Sequence, residues 1–287
     1  MLQITDIPSL RAQINQWKAS QKRLAFVPTM GNLHKGHLQL VEQAKTCGDK
    51  VCVSIFVNPM QFAPGTDFER YPRTLQDDAQ QLQTLGVDVL FTPAVKDIYP
   101  HDLEKTTKVS VPGLSDILCG EFRPGHFVGV ATVVAKLFNL VQPEVAVFGE
   151  KDYQQLAIIK KMVADLAFAV EIQSGATVRE ADGLAMSSRN QYLTPEERAT
   201  ASCLYQTLLA AKKQINSGAN FADIEQDAVQ ALQQAGFRPE YVSIRHAADL
   251  APVSDQPHGK PHDKQGPLVI LAAAWLGNAR LIDNITV

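Results

Sequence analysis

The chain has 287 residues, of which 45% are hydrophobic and 20% are charged, and its formal net charge is −3. This composition is typical of a globular protein with a sizeable core, and it excludes a disordered chain, a collagen and a small disulfide scaffold. At about 150 residues per domain the length favours two domains. A protein whose main partner is a polyanion usually carries a basic excess, so the charge does not favour nucleic-acid binding.

Cysteine usage and the lengths of apolar runs predict the cellular location of the protein. Its four cysteines form no CxxC pair and no metal-ligand spacing, which is typical of reduced, mostly buried thiols. The N-terminus has no basic region followed by an apolar stretch. The most apolar runs, residues 127–135 and 267–277, are shorter than the about 20 residues that span a bilayer. These features predict a cytoplasmic protein without a membrane partner.

The chain up to about residue 175 alternates short apolar runs with amphipathic stretches. Strands are predicted at residues 24–27, 51–57, 87–91, 107–111, 145–148 and 170–173. Helices are predicted at residues 37–47, 75–85, 127–141 and 152–168. The strands are continuous apolar runs, as expected for a parallel sheet that is covered on both faces. This order predicts an α/β fold with a Rossmann-like, doubly wound parallel sheet.

The pattern changes after this point. A helix-start signal, Thr194-Pro195-Glu196-Glu197, predicts one helix to about residue 217. A second helix is predicted at 221–235, followed by strands at 240–245, 268–274 and 279–285. Helices followed by strands indicate a smaller α+β domain, so we predict domains at residues 1–176 and 177–287.

One segment of the second domain has no predicted helix or strand. Residues 251–267 hold Pro, Asp, Gly, Lys and His and predict a flexible surface loop. His258 and His262 lie in this loop without a third ligand nearby, so a metal site there is disfavoured.

The first polar cluster, PTMGNLHKGH, follows the first predicted strand, with Gly31 and Gly36 placed in the turn. Ligands of open α/β sheets bind beyond the carboxyl ends of the strands, and a helix N-terminus favours an anion. His34 and His37 can both face such an anion and donate hydrogen bonds to it. Spacing alone leaves a phosphate site and a capped turn with two exposed imidazoles equally open. A zinc site would need a third ligand, and none is evident in this segment.

Two further clusters follow later strands. Gln61, in FVNPMQF, offers an acceptor and a donor pair that suit a substrate with hydroxyls and a carboxylate, although spacing alone favours an ordinary loop glutamine. In FGEKDYQQ, Lys151 supplies a point charge for phosphate, and Asp152 caps the helix or binds a ribose hydroxyl or Mg²⁺. Gln155 shares a helix face with both, and a solvated face with a capping Asp is the competing interpretation.

A fourth cluster, MSSRN, lies just after the predicted domain boundary. Two hydroxyls and a guanidinium can clamp phosphates, although Ser-Arg loops are common and the cluster alone is weak. The cluster is of interest because it lies at a predicted hinge between the two domains.

The first cluster carries the HxGH signature of the nucleotidyltransferase superfamily. Together the chain's motifs resemble the pantoate–beta-alanine ligase family, over about residues 20–195, and the C-terminal AAWLGNARLIDN is also similar. Five motifs carry the resemblance, in this order: PTMGNLHKGH, SIFVNPMQF, RPGHFVGVATVV, FGEKDYQQL and MSSRNQYL. The alternative is another HxGH-type nucleotidyltransferase, acting on a different small acid or a phosphate ester. Such an enzyme would share HxGH but is not expected to carry FVNPMQF or FGEKDYQQL.

The resemblance implies ATP-dependent condensation of (R)-pantoate with β-alanine through a pantoyl adenylate, in pantothenate and coenzyme A biosynthesis. It implies that 1–176 binds ATP and pantoate, that 177–287 is a lid domain, and that the protein is a homodimer. ATP is then a substrate and Mg²⁺ arrives with it, held mainly by its phosphates. No permanent protein-bound metal is predicted.

The resemblance also implies roles for individual residues. Catalytic roles fall on His37, His34, Lys151 and Arg189, with His37 the best candidate for a donor to the transition state. The residues expected to bind ATP are Met30, Gly31, Asn32, Leu33, His34, Lys35, Gly36, His37, Gly149, Glu150, Lys151, Asp152, Val178, Met186, Ser187, Ser188 and Arg189. The residues expected to bind pantoate or β-alanine are Gln61 and Gln155, with Asn58 and Arg123 as secondary contacts.

Three other polar residues carry weaker signals. His126, in RPGHF, fits a structural hydrogen bond better than a ligand contact. Asp77 and Asp78 fit a solvated helix face better than a cation site. The one departure from the family pattern is the length of segment 251–267, which lies outside every site motif.

Overall fold

The computed structural model describes residues 1–62, 68–69, 71–253 and 266–287. Two compact units divide the chain: Met1–Glu150 with Ile158–Ala176, and Lys151–Ala157 with Thr177–Val287. The predicted domains, 1–176 and 177–287, stay a prediction, and the compact units differ from them in the placement of Lys151–Ala157. Most of segment 251–267, including His258 and His262, lies outside the described residues.

A six-stranded sheet is the centre of the first unit. Within the described residues its strands are β1 (Leu2–Ile4), β2 (Leu24–Thr29), β3 (Lys50–Ile55), β4 (Val89–Phe91), β5 (Val145–Gly149) and β6 (Glu171–Gly175). All neighbours pair in parallel, in the order β1-β4-β3-β2-β5-β6. The chain runs from β2 outward to β3 and β4, and then returns to β5 on the other side of β2. This order confirms the predicted doubly wound α/β fold and makes β2 and β5 the switch point, where ligands of such sheets bind.

Helices cover both faces of this sheet. They are α1 (Ile7–Ala19), α2 (Lys35–Cys47), α3 (Leu75–Thr84), α4 (Val95–Ile98), α5 (Cys119–Phe122), α6 (His126–Val141) and α7 (Tyr153–Asp165), whose first turns belong to the second unit. Ala25 and Val27 of β2 share a buried cluster with Val41 of α2. Phe26, between them, meets Phe138 of α6 edge to face with centroids 6.5 Å apart. Because both faces of β2 are buried over its first four residues, residues 24–27 are apolar throughout.

The second unit is a smaller α+β structure, as predicted. Its remaining elements are α8 (Pro195–Thr200), α9 (Cys203–Asn216), α10 (Phe221–Gln234), β7 (Arg238–His246), β8 (Leu268–Leu276) and β9 (Ala279–Thr286). The strands form an antiparallel sheet in the order β7-β8-β9. Leu208 of α9 and Leu232 of α10 share a buried core with Ile270 of β8.

Three sequence predictions about elements were wrong, and β1, α1, α4 and α5 were not predicted. The strand predicted at 107–111 is absent from the described structure, because the N–H groups of Val109 and Val111 bond to side chains of Thr132 and Ser115 instead of a neighbouring strand. The helix predicted from 195 to 217 is two helices. Gly36 lies in α2 and not in the turn before it.

Candidate active site

The loop after β2, residues 30–34, turns sharply before α2 begins. Gly31 and Asn32 are both in the left-handed region, with φ of +81° and +52°. A Cβ on Gly31 would lie 3.0 Å from Ile55 Cγ2 and 3.1 Å from Asp78 Oδ2. Glycine is therefore required at 31 by conformation and by space, and asparagine is among the few other residues that adopt this region readily.

Asp78 of α3 holds this loop. Its side chain is 1% exposed, its Oδ1 accepts from the Leu33 N–H at 2.8 Å, and its Oδ2 accepts from the Asn32 N–H at 2.9 Å. Oδ2 also accepts from the Thr74 hydroxyl at 3.2 Å. The predicted solvated helix face therefore holds for Asp77, which is exposed, and is wrong for Asp78. A buried carboxylate that bonds two backbone N–H groups fixes the loop with charge-assisted hydrogen bonds.

The two histidines of the HxGH motif cap α2 reciprocally. The Nδ1 of His34 accepts from the Gly36 N–H at 3.1 Å, and the Nδ1 of His37 accepts from the His34 N–H at 3.3 Å. Their rings lie 4.1 Å apart between centroids. Because each Nδ1 accepts a hydrogen bond, this network assigns the imidazole proton to Nε2 in both rings. The predicted capped turn is present, but its two imidazoles are half-buried and not exposed. In this tautomer each Nε2–H is a donor of the kind that a phosphate site needs.

Asn58 follows β3 and is buried, with 1% exposure. Its Nδ2 donates to Gln61 Oε1 at 3.0 Å and to the Gly129 carbonyl at 3.1 Å. Its Oδ1 accepts from the Tyr99 hydroxyl at 2.8 Å and from the Met60 N–H at 3.3 Å. Burial raises the pKa of Tyr99, so this hydroxyl stays protonated and acts as the donor. The amide of Asn58 therefore has all its hydrogen-bonding groups satisfied within the protein.

Gln61 is held at both its side chain and its backbone. Its Nε2 lies 3.1 Å from Met30 Sδ, next to the loop after β2. Its carbonyl accepts from His126 Nδ1 at 2.8 Å, and His126 Nε2 in turn accepts from Arg123 Nη1 at 3.1 Å. A Cβ on Gly129 would come within 2.6 Å of the Gln61 nitrogen, so only glycine lets α6 approach this closely. His126 has the structural role that the sequence favoured.

Gly149 and Glu150 lie at the end of β5, where both are half-buried. Since β2 and β5 are neighbours in the sheet, these residues and the HxGH loop come from the same edge of the sheet at its switch point. The structure therefore brings the first-unit part of the predicted ATP set together. Lys35, in the same set, is exposed at the first position of α2.

The second unit contains the rest of the predicted set. Lys151 has 19% side-chain exposure and its Nζ lies 3.7 Å from Asp152 Oδ2. A 3-10 turn, Glu150–Asp152, precedes α7, and Gln155 is half-buried in the first turn of that helix. The Tyr153 hydroxyl donates to the Ala247 carbonyl at 2.9 Å and ties the helix start to this unit.

A short hairpin holds the other residues of this unit. The Val178 carbonyl accepts from the Met186 N–H at 2.9 Å, so these two predicted ATP contacts are adjacent. The Ser187 hydroxyl accepts from the Arg189 N–H at 3.2 Å and begins a 3-10 helix, Ser188–Tyr192. Met186 is buried, whereas Ser187, Ser188 and Arg189 are half-buried.

Sequence reasoning missed five polar residues that hold these loops: Asp78, Tyr99, Arg179, Asp283 and Asn284. The similarity of ARLIDN to the family pattern was the one signal for the last two. In the parts of the chain that the structure describes, no group of three or more His, Cys, Asp or Glu side chains could hold a metal ion. No helix of these parts is long and apolar enough to cross a membrane.

A doubly wound parallel sheet with an HxGH helix start at its switch point defines an α/β protein of the nucleotidyltransferase class. The sequence pattern of the pantoate-beta-alanine ligase family matches residues 3–286. Pantothenate synthetase of Nitrosococcus oceani is 56% identical over 282 residues, covering 98% of this chain and 96% of the relative. That of Idiomarina loihiensis is 54% identical over 276 residues, with 96% and 95% coverage.

Solved structures agree with these relatives. The crystal structure of pantothenate synthetase from Thermus thermophilus matches with a TM-score of 0.89 at 46% identity, covering 99% of both chains. Pantoate-beta-alanine ligase from Francisella tularensis, complexed with beta-gamma ATP and beta-alanine, matches with a TM-score of 0.81 at 35% identity, covering 99% of this chain and 97% of that one. The chain therefore belongs to the pantoate–beta-alanine ligase family, and its activity is that of this ligase. The resemblance carried by the five motifs is confirmed.

Proposed function

We propose that the protein joins (R)-pantoate to β-alanine in two steps, through a pantoyl adenylate. A pantoate carboxylate oxygen attacks the α-phosphorus of ATP, and the bond to pyrophosphate breaks as pyrophosphate leaves with the electron pair. The β-alanine nitrogen then attacks the acyl carbon, the bond to AMP breaks, and the amine gives up one proton. The Francisella tularensis relative, whose crystal structure is a complex with beta-gamma ATP and beta-alanine, supports this choice of substrates.

The observation that best supports the first step is the pair of reciprocal caps at the start of α2, which assigns the imidazole proton of His34 and of His37 to Nε2. Negative charge grows on the departing pyrophosphate, so the transition state is stabilised by donors already aimed at it. Backbone N–H groups donate to the Nδ1 atoms of His34 and His37, so the same tautomer of each imidazole is held throughout the reaction. We assign both to the ATP phosphates, together with the N-terminal dipole of α2.

Gln61 is our candidate for holding pantoate. Because Asn58 donates to its Oε1, the orientation of the Gln61 amide is fixed, with Nε2 as a donor next to Met30. A primary amide donor suits a carboxylate or hydroxyl oxygen of the substrate. We assign Asn58 the role of orienting Gln61, in place of the predicted substrate contact, because its own hydrogen-bonding groups are used within the protein. Arg123 stays a proposed secondary contact.

The remaining roles are proposals that rest on the family resemblance. Lys151 and Arg189 neutralise phosphate charge, and Gln155 holds pantoate with Gln61. The other residues proposed to line ATP are Met30, Gly31, Asn32, Leu33, Lys35, Gly36, Gly149, Glu150, Asp152, Val178, Met186, Ser187 and Ser188. Mg²⁺ enters with ATP as part of the substrate, held mainly by its phosphates. We also propose a homodimer that works in the cytoplasm.

Product analysis with single omissions tests the reaction. The protein is incubated with ATP, Mg²⁺, pantoate and β-alanine, and each component is left out in turn. We expect AMP and pantothenate only in the complete mixture, and exchange of pyrophosphate into ATP with pantoate alone. Exchange that needs β-alanine would refute the adenylate intermediate, and a folded protein with neither exchange nor product would refute the choice of substrates.

Two variants separate the proposed roles of the first-unit residues. His37→Ala removes a donor to the phosphates and one of the two reciprocal caps of α2. We expect pyrophosphate exchange to fall by about 10²–10³-fold and the free energy of unfolding to fall by about 1 kcal/mol. Gln61→Ala is expected to raise the KM for pantoate much more than the KM for ATP. Unchanged exchange in His37→Ala, or equal effects of Gln61→Ala on both KM values, would contradict these roles.

A further inference from the structure

The C-terminal strand β9 carries two buried polar residues that the proposed reaction does not use. Asp283 is 3% exposed and Asn284 is 7% exposed. Asp283 bonds a guanidinium that itself holds backbone, and Asn284 bonds a backbone carbonyl directly. Contacts of this kind set the position of a loop.

Asp283 is paired with Arg179 in a forked arrangement. Arg179 Nη1 donates to Asp283 Oδ2 at 2.6 Å and Nη2 donates to Oδ1 at 2.9 Å. The guanidinium carbon lies 3.7 Å from the centroid of the Tyr205 ring. Such a pair has fixed geometry, because the two parallel bonds and the stacked ring define both the plane and the distance of the guanidinium.

Arg179 also bonds the backbone of the hairpin that carries the proposed ATP contacts. Its Nη1 donates to the Gly183 carbonyl at 3.0 Å, at the tip of this hairpin. The backbone of Arg179, the residue after Val178, forms an antiparallel β-bridge with Ala185, the residue before Met186. The ion pair with β9 therefore fixes both strands of the hairpin.

Asn284 holds the backbone of Lys151 in a similar way. Its Nδ2 donates to the Lys151 carbonyl at 2.9 Å, and its own N–H donates to Asp283 Oδ1 at 2.8 Å. One dipeptide of β9 thus holds the backbone at Lys151 and, through Arg179, the segment that leads to Arg189. These are the two cations that we assign to the phosphates from the second unit.

We propose that Arg179, Asp283 and Asn284 are positioning residues for the adenylation step, which set where Lys151 and the segment Met186–Arg189 present their groups to ATP. This inference rests on the proposed function for those groups. A buried ion pair contributes little net stability compared with apolar residues. We therefore infer that this pair serves to hold the backbone that it bonds in a single geometry. Misplacing a catalytic group by about 1 Å can cost about 10²-fold in rate.

The chain offers a matched control in the same sheet. Glu240 of β7 pairs with Arg280 of β9 at 2.6 Å, with side chains 13% and 10% exposed, and also accepts from Trp275 Nε1 at 2.7 Å. This pair links three strands of the sheet, and none of the bonds just described reaches a residue that we propose to contact ATP. Asp283→Asn and Glu240→Gln make the same chemical change, a carboxylate to its amide, in two buried ion pairs.

Steady-state kinetics of the two variants test the proposal. We expect both to lower the melting temperature, and only Asp283→Asn to lower kcat/KM for ATP in pyrophosphate exchange, by at least about 10-fold. The KM for β-alanine should stay within about twofold in both. Equal losses in the two variants, or losses spread equally over ATP and β-alanine, would overturn the positioning role.

A double-mutant cycle tests whether Asn284 acts through Lys151. Asn284→Leu removes the donor, and we expect about a 10-fold loss in kcat/KM for ATP in the wild-type background and less than about threefold in Lys151→Ala. Equal losses in both backgrounds would overturn the link. If wild-type protein forms no pantothenate, the proposed function fails, and calorimetric titration with Mg–ATP then decides this inference. Weaker binding in Asp283→Asn than in Glu240→Gln would support it, and equal binding would overturn it.

Discussion

Asp78 offers the sharpest test of how the HxGH loop is held. Asp78→Ala removes a buried carboxylate that accepts from the N–H groups of Asn32 and Leu33 at 2.9 and 2.8 Å. Both donors then lose their partner at a point where Gly31 and Asn32 hold left-handed conformations. Since no other described side chain takes both bonds, we expect the loop to lose its fixed geometry.

The magnitude follows from the two bonds. A hydrogen bond to a charged group is worth roughly 1.5–3 kcal/mol, so removing both costs about 3–6 kcal/mol in the free energy of unfolding. A domain of about 150–250 residues shifts its melting temperature by roughly 2–4 °C per kcal/mol, which gives a decrease of about 6–24 °C. Asp78→Asn keeps one acceptor oxygen but not the charge, so its decrease should be smaller than that of Asp78→Ala and more than half as large.

Thermal melting and pyrophosphate exchange measure the two consequences. Asp77→Ala is the control, because it changes the exposed neighbour on the same helix and should leave melting and exchange unaltered. In Asp78→Asn we expect a raised KM for ATP in protein that is folded at 25 °C. Asp78→Ala that melts at the wild-type temperature, or Asp77→Ala with an equal effect, would refute the reasoning.

Three further predictions test other parts of the structure. Gly129→Ala places a Cβ 2.5 Å from the Met60 carbonyl, so kcat/KM for pantoate should fall by more than about 10-fold; wild-type kinetics would exclude this close approach. Tyr99→Phe removes the donor to Asn58 and should cost about 1–2 kcal/mol in urea unfolding, and no change would show that the hydroxyl is dispensable. The hydrogen bond from Arg198 lowers the pKa of Asp182, so this partly exposed pair stabilises the fold above about pH 4 and stops doing so as the pH falls further. Arg198→Gln should therefore lower the free energy of unfolding by less than about 1 kcal/mol at pH 7 and not at all near pH 2. A loss of stability that increases as the pH falls would contradict this direction.

Much of the fold was readable because strand and helix patterns are local. The apolar runs of β2 to β5 predicted a parallel sheet, and the motifs after them predicted where ligands bind. The prediction of a strand at 107–111 was wrong because the N–H groups of Val109 and Val111 bond to side chains and not to a neighbouring strand. The first helix was missed although Asp6 caps it at the Ser9 N–H and Pro8 lies in its first turn, because only Leu10 and Ile14 of its residues are fully buried.

The candidate site was predictable only where residues act through their own side chains. His34, His37 and Gln61 lie in motifs whose spacing points to chemistry. Asp78 lies 46 residues from Asn32, and Asn284 lies 133 residues from Lys151, so their partners are set by the fold. A carboxylate on an amphipathic helix has the same pattern whether it faces water or a buried N–H, which is why Asp78 was placed on a solvated face.

The supporting contacts share one physical feature. Asp78 bonds two N–H groups of the HxGH loop, His126 bonds the Gln61 carbonyl, and Asn284 bonds the Lys151 carbonyl. Each fixes main chain and leaves the functional side chain available for substrate. Backbone bonds do not depend on the identity of the residue that they hold, so Lys151 can be exchanged without loss of this bond to its main chain, whereas His34 and His37 also cap their own helix. The converse also follows: a chain that keeps all five motifs can lose the reaction through a change at Asp78 or Asn284.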